Sequence, residues 1–137
     1  MNPSKRVSVG ILASLLTATA LATPTASAAT AQEPCRIART TLNLYAGADV
    51  LYCSTVPGAK VQRIANQDPS DVEGYINGSS EHQFLCWTTG ETHDGGNNIY
   101  YFTYVDTLVH GYGIGWVKSS DVLTTTHPFP GMSRCGG

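Results

Sequence analysis

The sequence predicts an all-β domain, a small closed or nearly closed barrel of about five to seven short strands with long loops. Three observations lead there. Beyond residue 40 the apolar residues either alternate with polar ones or fall in β-branched and aromatic runs, and none keeps a helical period. Glycine and proline break the chain at short intervals. Cys35, Cys53, Cys86 and Cys135 form an even set beyond an export signal, where thiols pair as disulfides.

The signal comes first. Lys5 and Arg6, an apolar stretch over 7–22 diluted with Ser, Thr and Gly, and Ala26-Ser27-Ala28 after Pro24 read as a secretory leader over residues 1–28, cleaved before Ala29. The apolar stretch falls short of the ~20 residues a spanning helix needs, so the expectation is release from the membrane. The product is then secreted, extracellular or cell-wall associated, with no membrane contact after cleavage. Residues 29–41 form a small polar lead, tied down at Cys35.

Strands are expected over 40–44, 50–56 and 60–65, separated by the Ala46-Gly47-Ala48-Asp49 turn and by Pro57-Gly58. Residues 66–80 hold many turn formers and only Val72, Tyr75 and Ile76 to bury, and are expected as a surface loop inserted in a barrel spanning 42–123. A strand over 83–89 follows, then a polar loop over 90–98 with Gly95-Gly96-Asn97-Asn98 at its tip. Residues 99–105, aromatic and β-branched throughout, make the clearest strand, and 111–118 return as its hairpin partner. A polar turn at 119–121, a short strand over 122–125 and a tail over 124–137 tied by Cys135 complete the chain. Four cysteines allow three pairings. Barrel closure brings termini together and so favours Cys35 with Cys135 and Cys53 with Cys86.

Charge and motif spacing narrow the function. Losing Lys5 and Arg6 makes the remainder more acidic than the formal −2 of the whole chain, and its Lys and Arg are scattered singly, which excludes a nucleic-acid binder. His82, His93, His110 and His127 lack metal-ligand spacing and read as solvated surface imidazoles; no metal and no cofactor is expected. There is no Gly-x-Ser-x-Gly element and no unpaired cysteine, and nothing in the spacing singles out Glu81, Glu91, His93 or Asp94 as a catalytic set. The chain is expected not to be an enzyme, and to be a monomer.

Two stretches carry a family likeness. Ile99-Tyr100-Tyr101-Phe102-Thr103, a loop, and then Gly115-Trp116-Val117-Lys118-Ser119-Ser120-Asp121-Val122-Leu123 resemble the second half of a bacterial SH3-like domain. Upstream, Leu42-Asn43-Leu44-Tyr45-Ala46-Gly47 and Val56-Pro57-Gly58-Ala59-Lys60-Val61 resemble its first steps. The chain is similar to small exported, disulfide-bonded SH3-like proteins of actinobacterial type. That resemblance implies an SH3-like barrel and a cell-envelope ligand, peptide or glycan.

The aromatic residues outnumber what so small a core must bury, and strand alternation sends neighbours such as Tyr100 and Tyr101 to opposite faces. Exposed rings on a rigid scaffold offer large contact area at low entropy cost. A binding groove is expected between the Tyr45 turn and the strand carrying Tyr101 and Tyr104, with Trp116 alongside. The alternative is a small secreted inhibitor of a foreign enzyme, acting through a loop at 66–80 or 90–98.

Overall fold

A computed structural model describes residues 35–78 and 81–136. The expected signal over 1–28 and its cleavage point lie outside the described residues, as does the start of the lead. The described chain is all-β, with nine strands, three short 3-10 turns and no α-helix. Its strands form two antiparallel sheets, and neither closes on itself. Strands β1 (Arg36–Arg39), β2 (Asp49–Cys53) and β5 (His82–Phe84) make the smaller, in the order β1-β2-β5. The larger runs β6-β7-β9-β3-β4-β8, built from β3 (Ala59–Gln62), β4 (Val72–Ile76), β6 (Cys86–Thr89), β7 (Ile99–Tyr104), β8 (Thr107–Leu108) and β9 (Ile114–Lys118).

Alternation sorts each strand into two faces. Leu51 and Phe84 from the small sheet meet Val61, Ile76, Tyr101 and Val117 from the large one in a shared core. Each of these side chains is 1 % exposed or less, and burying one contributes about 1.5–3 kcal/mol.

Several elements depart from expectation. Residues 40–44 are not a strand: Thr40 Oγ1 donates to buried Gln83 Oε1 (2.6 Å), Gln83 Nε2 donates to Thr41 Oγ1 (2.9 Å), and Thr40 Oγ1 accepts from Leu42 N–H (3.0 Å). These side-chain bonds compete with ladder formation, and the chain bends into a 3-10 turn at Asn43–Tyr45. The N-terminal strand lies earlier, at Arg36–Arg39. The expected surface loop over 66–80 instead contains β4, which pairs with β3 on one side and β8 on the other. The expected strand over 83–89 breaks at Leu85, where the chain leaves the small sheet for the large one. Leu85 N–H bonds Phe102 O at 2.9 Å across that corner. The short strand expected after residue 121 is a single bridge, Val122 to Thr55.

Both disulfide partners also differ from those favoured by the barrel. The bonds are Cys35–Cys53 and Cys86–Cys135, and no described cysteine is free. Register explains the first: Arg36 pairs with Tyr52, so Cys35 falls opposite Cys53. The second follows from the tail, which runs along the edge of β6. Trp87 N–H donates to Ser133 O (3.1 Å), Cys135 N–H donates to Trp87 O (2.9 Å), and Trp87 Nε1–H donates to Met132 O (3.1 Å). An edge strand that would otherwise invite another chain is thereby covered and stapled.

Candidate functional site

The outward face of the large sheet is set by register. Tyr104 lies opposite Ile114, Phe102 opposite Trp116, and Tyr100 opposite Lys118, while Trp116 also pairs with Gln62 of β3. Directly opposed residues share a face, so these side chains form one outward surface. Tyr101, Thr103 and Val117 point the other way, into the core.

At one end of that face is an apolar hollow of about 230 Å³. Leu42, Asn43 and Tyr45 of the first 3-10 turn form one wall, and Phe102, Tyr104 and Ile114 form the other. Leu85, at the corner between sheets, and Thr103 complete the lining. Trp116 adjoins it, with its ring 5.0 Å from that of Phe102. On the far side of Trp116 lies a polar hollow of about 220 Å³ among Lys60, Gln62, Gln67, Asp94, Lys118 and Asp121. Ile114 and Lys118, one in each hollow, are four residues apart on β9, or about 13 Å.

The polar end is internally neutralised. Lys118 Nζ donates to both oxygens of Asp94 at 2.7 Å and lies 3.5 Å from Asp121. Burial lowers the pKa of Lys118, but these carboxylates outweigh it and hold the ammonium above its ordinary range. Burial raises the pKa of Asp121, partly offset by Lys118.

The four residues expected to bind therefore divide. Tyr45 and Tyr104 meet across the apolar hollow, Trp116 stands beside it, and Tyr101 is fully buried. The Tyr101 hydroxyl accepts from Phe129 N–H and shares a hydrogen bond with His127 Nδ1, both at 3.0 Å, and burial pushes its pKa up to about 12. Tyr100, although on the outward face, is also fully buried, its ring covered by His93 at 5.4 Å from the 90–98 loop. Leu42, Leu85, Phe102 and Ile114 line the hollow without having been singled out in the sequence.

The histidines correct another expectation, since His82 and His93 are buried. His93 Nδ1 accepts from Gly95 N–H (3.1 Å), which leaves Nε2 to donate to Ile99 O and Ser119 Oγ, each at 3.1 Å. The ring thus organises the 90–98 loop. His82 Nε2 lies 2.7 Å from Thr103 Oγ1 and 2.9 Å from Tyr104 O, with Asp106 3.9 Å from Nδ1. This looks like a nucleophile–base–acid row, but the Thr103 hydroxyl already donates to Gln83 O at 2.7 Å. Nε2 must then be the donor, so the imidazole holds Thr103 in place and does not take its proton. The carboxylates are engaged separately: Glu81 with Arg36, Glu91 with Gln67 N–H (3.1 Å), and Asp94 with Lys118.

Burial lowers the pKa of both His82 and His127 below the ordinary 6.5, with Asp106 opposing the effect at His82. The unfolded chain therefore binds protons that the folded one refuses. Stability is full above about pH 6.5 and falls as the pH drops from there through the folded-state values. Urea midpoints should decline between about pH 7 and pH 5, and His82→Gln should flatten part of that slope. A midpoint unchanged across the window would contradict the neutral, buried state of these rings.

No protein-family model, curated protein or solved structure matches the chain.

Proposed function

We propose that this chain is an exported, non-catalytic SH3-like module that binds cell-envelope peptide or glycan on the outward face of its large sheet. The observation that carries the reading is the meeting of Tyr45 and Tyr104, from distant parts of the sequence, around one apolar hollow in line with Trp116. Whole small-molecule sites run to about 300–1,000 Å³. At about 230 Å³ this one suits a single ring or side chain of a longer ligand, whose remainder would lie over Trp116 toward the polar end.

The order of elements supports the SH3-like part of the reading. An aromatic strand (β7), its Gly-aromatic-Val partner (β9) and a 3-10 turn at Ser119–Asp121 come in the order the resemblance implies, with a single bridge at Val122 where it implies a closing strand. Export is supported by the leader-like residues 1–28 and by the pairing of all four cysteines. No helix among the described residues is long and apolar enough to cross a membrane.

Co-sedimentation with purified cell wall tests the reading. The protein should pellet with the wall, and Tyr45→Ala combined with Tyr104→Ala should release it while leaving the fold intact by circular dichroism. No retention of the unmodified protein, or equal retention of the double variant, would overturn it.

A further inference from the structure

From the end of β7 to the first residue of β9 the chain carries four large apolar side chains outward. Leu108 is 58 % exposed, Val109 44 %, Tyr112 95 % and Ile114 45 %. The loop that bears them is braced from beneath by Glu73 of β4, itself 5 % exposed. The Glu73 carbonyl accepts from Val109 N–H (2.8 Å) and His110 N–H (2.9 Å), and its carboxylate accepts from Tyr112 N–H (2.9 Å). Val105 N–H donates to Gly113 O at 2.8 Å and closes the base. Gly111 has φ +63°, where a side chain is strained, and a Cβ there would lie 1.9 Å from a Glu73 carboxylate oxygen, so a larger residue would push that carboxylate off the Tyr112 N–H. Burying a carboxylate is costly, and here it secures the backbone beneath a ring that touches almost nothing of its own chain.

We propose that this tip docks into the apolar hollow of a second copy, and that two copies exchange tips about a twofold axis. Size, placement and charge favour that occupant. The hollow, at about 230 Å³, takes one ring, and Tyr112 is the most exposed large apolar side chain among the described residues. Ile114 belongs to both features, ending the tip and lining the hollow, so the two abut on one side of the molecule. A patch that carries both the projection and its receptor is self-complementary, and a twofold closes it with neither half left over. No Asp, Glu, Lys or Arg lines the hollow or occurs between Thr107 and Ile114, so two acidic chains meet there without opposing carboxylates. Because Glu73 already orders the tip, docking loses little conformational freedom.

This pairing departs from the monomer expected from the sequence and does not rest on wall binding. Where both occur they exclude each other, since they use the same hollow.

Sedimentation velocity of the oxidised protein, recovered from the medium of a secreting host, tests the pairing from micromolar to millimolar concentration. The mass should rise from monomer toward dimer. Tyr112→Ser should weaken association about thirty-fold, the loss typical of a central aromatic anchor. Tyr45→Glu, at the rim of the hollow, should weaken it from the other side. A mixture of the two variants should associate more strongly than either alone, because the intact hollow of one receives the intact tip of the other. A monomer at millimolar concentration, dimerisation unaffected by Tyr112→Ser, or a mixture no stronger than its components would each overturn the proposal.

Discussion

Replacing Cys86 and Cys135 together by serine should lower the free energy of unfolding by about 4 kcal/mol, the chain-entropy value for the 49-residue separation they span. The corresponding figure for Cys35 and Cys53, 18 residues apart, is about 3 kcal/mol. Net stabilities of small domains are only about 5–15 kcal/mol, so the longer bridge alone is a large share. Its loss also has a local consequence. The tail would no longer be held to β6, and Trp87 N–H would lose Ser133 O. Guanidinium unfolding should therefore show a lower midpoint for the Cys86→Ser/Cys135→Ser variant, with faster hydrogen exchange at Trp87 before global unfolding. An unchanged midpoint would mean that the tail contributes nothing to the fold.

Tyr101→Ala should cost about 3–5 kcal/mol, as removal of a fully buried aromatic ring does. The ring lies 5.8 Å from Phe84 of the other sheet, so truncation opens a cavity between the sheets. Tyr101→Phe keeps the ring but leaves Phe129 N–H and His127 Nδ1 without their partner, for about 1–3 kcal/mol. Thermal melts of both variants check the order. The folded phenylalanine variant should bind wall as the unmodified protein does, because its ring faces away from the hollow. Tyr45→Ala should show the reverse pattern, with stability nearly unchanged and binding lost. Wall binding that disappears with Tyr101→Phe alone would place the site elsewhere.

These contrasts reflect which features local sequence carries. β7 and β9 were legible because runs of aromatic and β-branched residues between glycine-rich turns admit few other structures. Val72–Ile76 was not, because Glu73 and Gly74 look like loop residues. Glu73 is buried only because Val109, His110 and Tyr112 come back to it, and Gly74 because Thr107 O passes 2.2 Å from where a Cβ would sit. β1 was hidden likewise: two of its four residues are arginines, and its place is set by pairing with β2 and by Cys35–Cys53. That missing strand accounts for the wrong disulfide partners.

The site was half legible. Placing a groove between the Tyr45 turn and β7 needed only the surplus of aromatic residues and the alternation of a strand. Which ring faced out depended on the tail, since His127 and Phe129 cap Tyr101, and on the 90–98 loop, since His93 covers Tyr100. Leu85 lines the hollow only because the chain switches sheets there, a break that the even composition of residues 83–89 conceals.

The outward face of the large sheet, as the surface that meets a ligand, is tested most directly by titrating the isotope-labelled protein with solubilised cell-wall fragments and following its amide and indole resonances. Saturable shifts are expected at Tyr45, Phe102, Tyr104, Ile114 and the Trp116 indole, with β1 and the buried Tyr101 unmoved. No shifts at saturating fragment, or shifts gathered on Arg36–Arg39 of the opposite sheet, would contradict it.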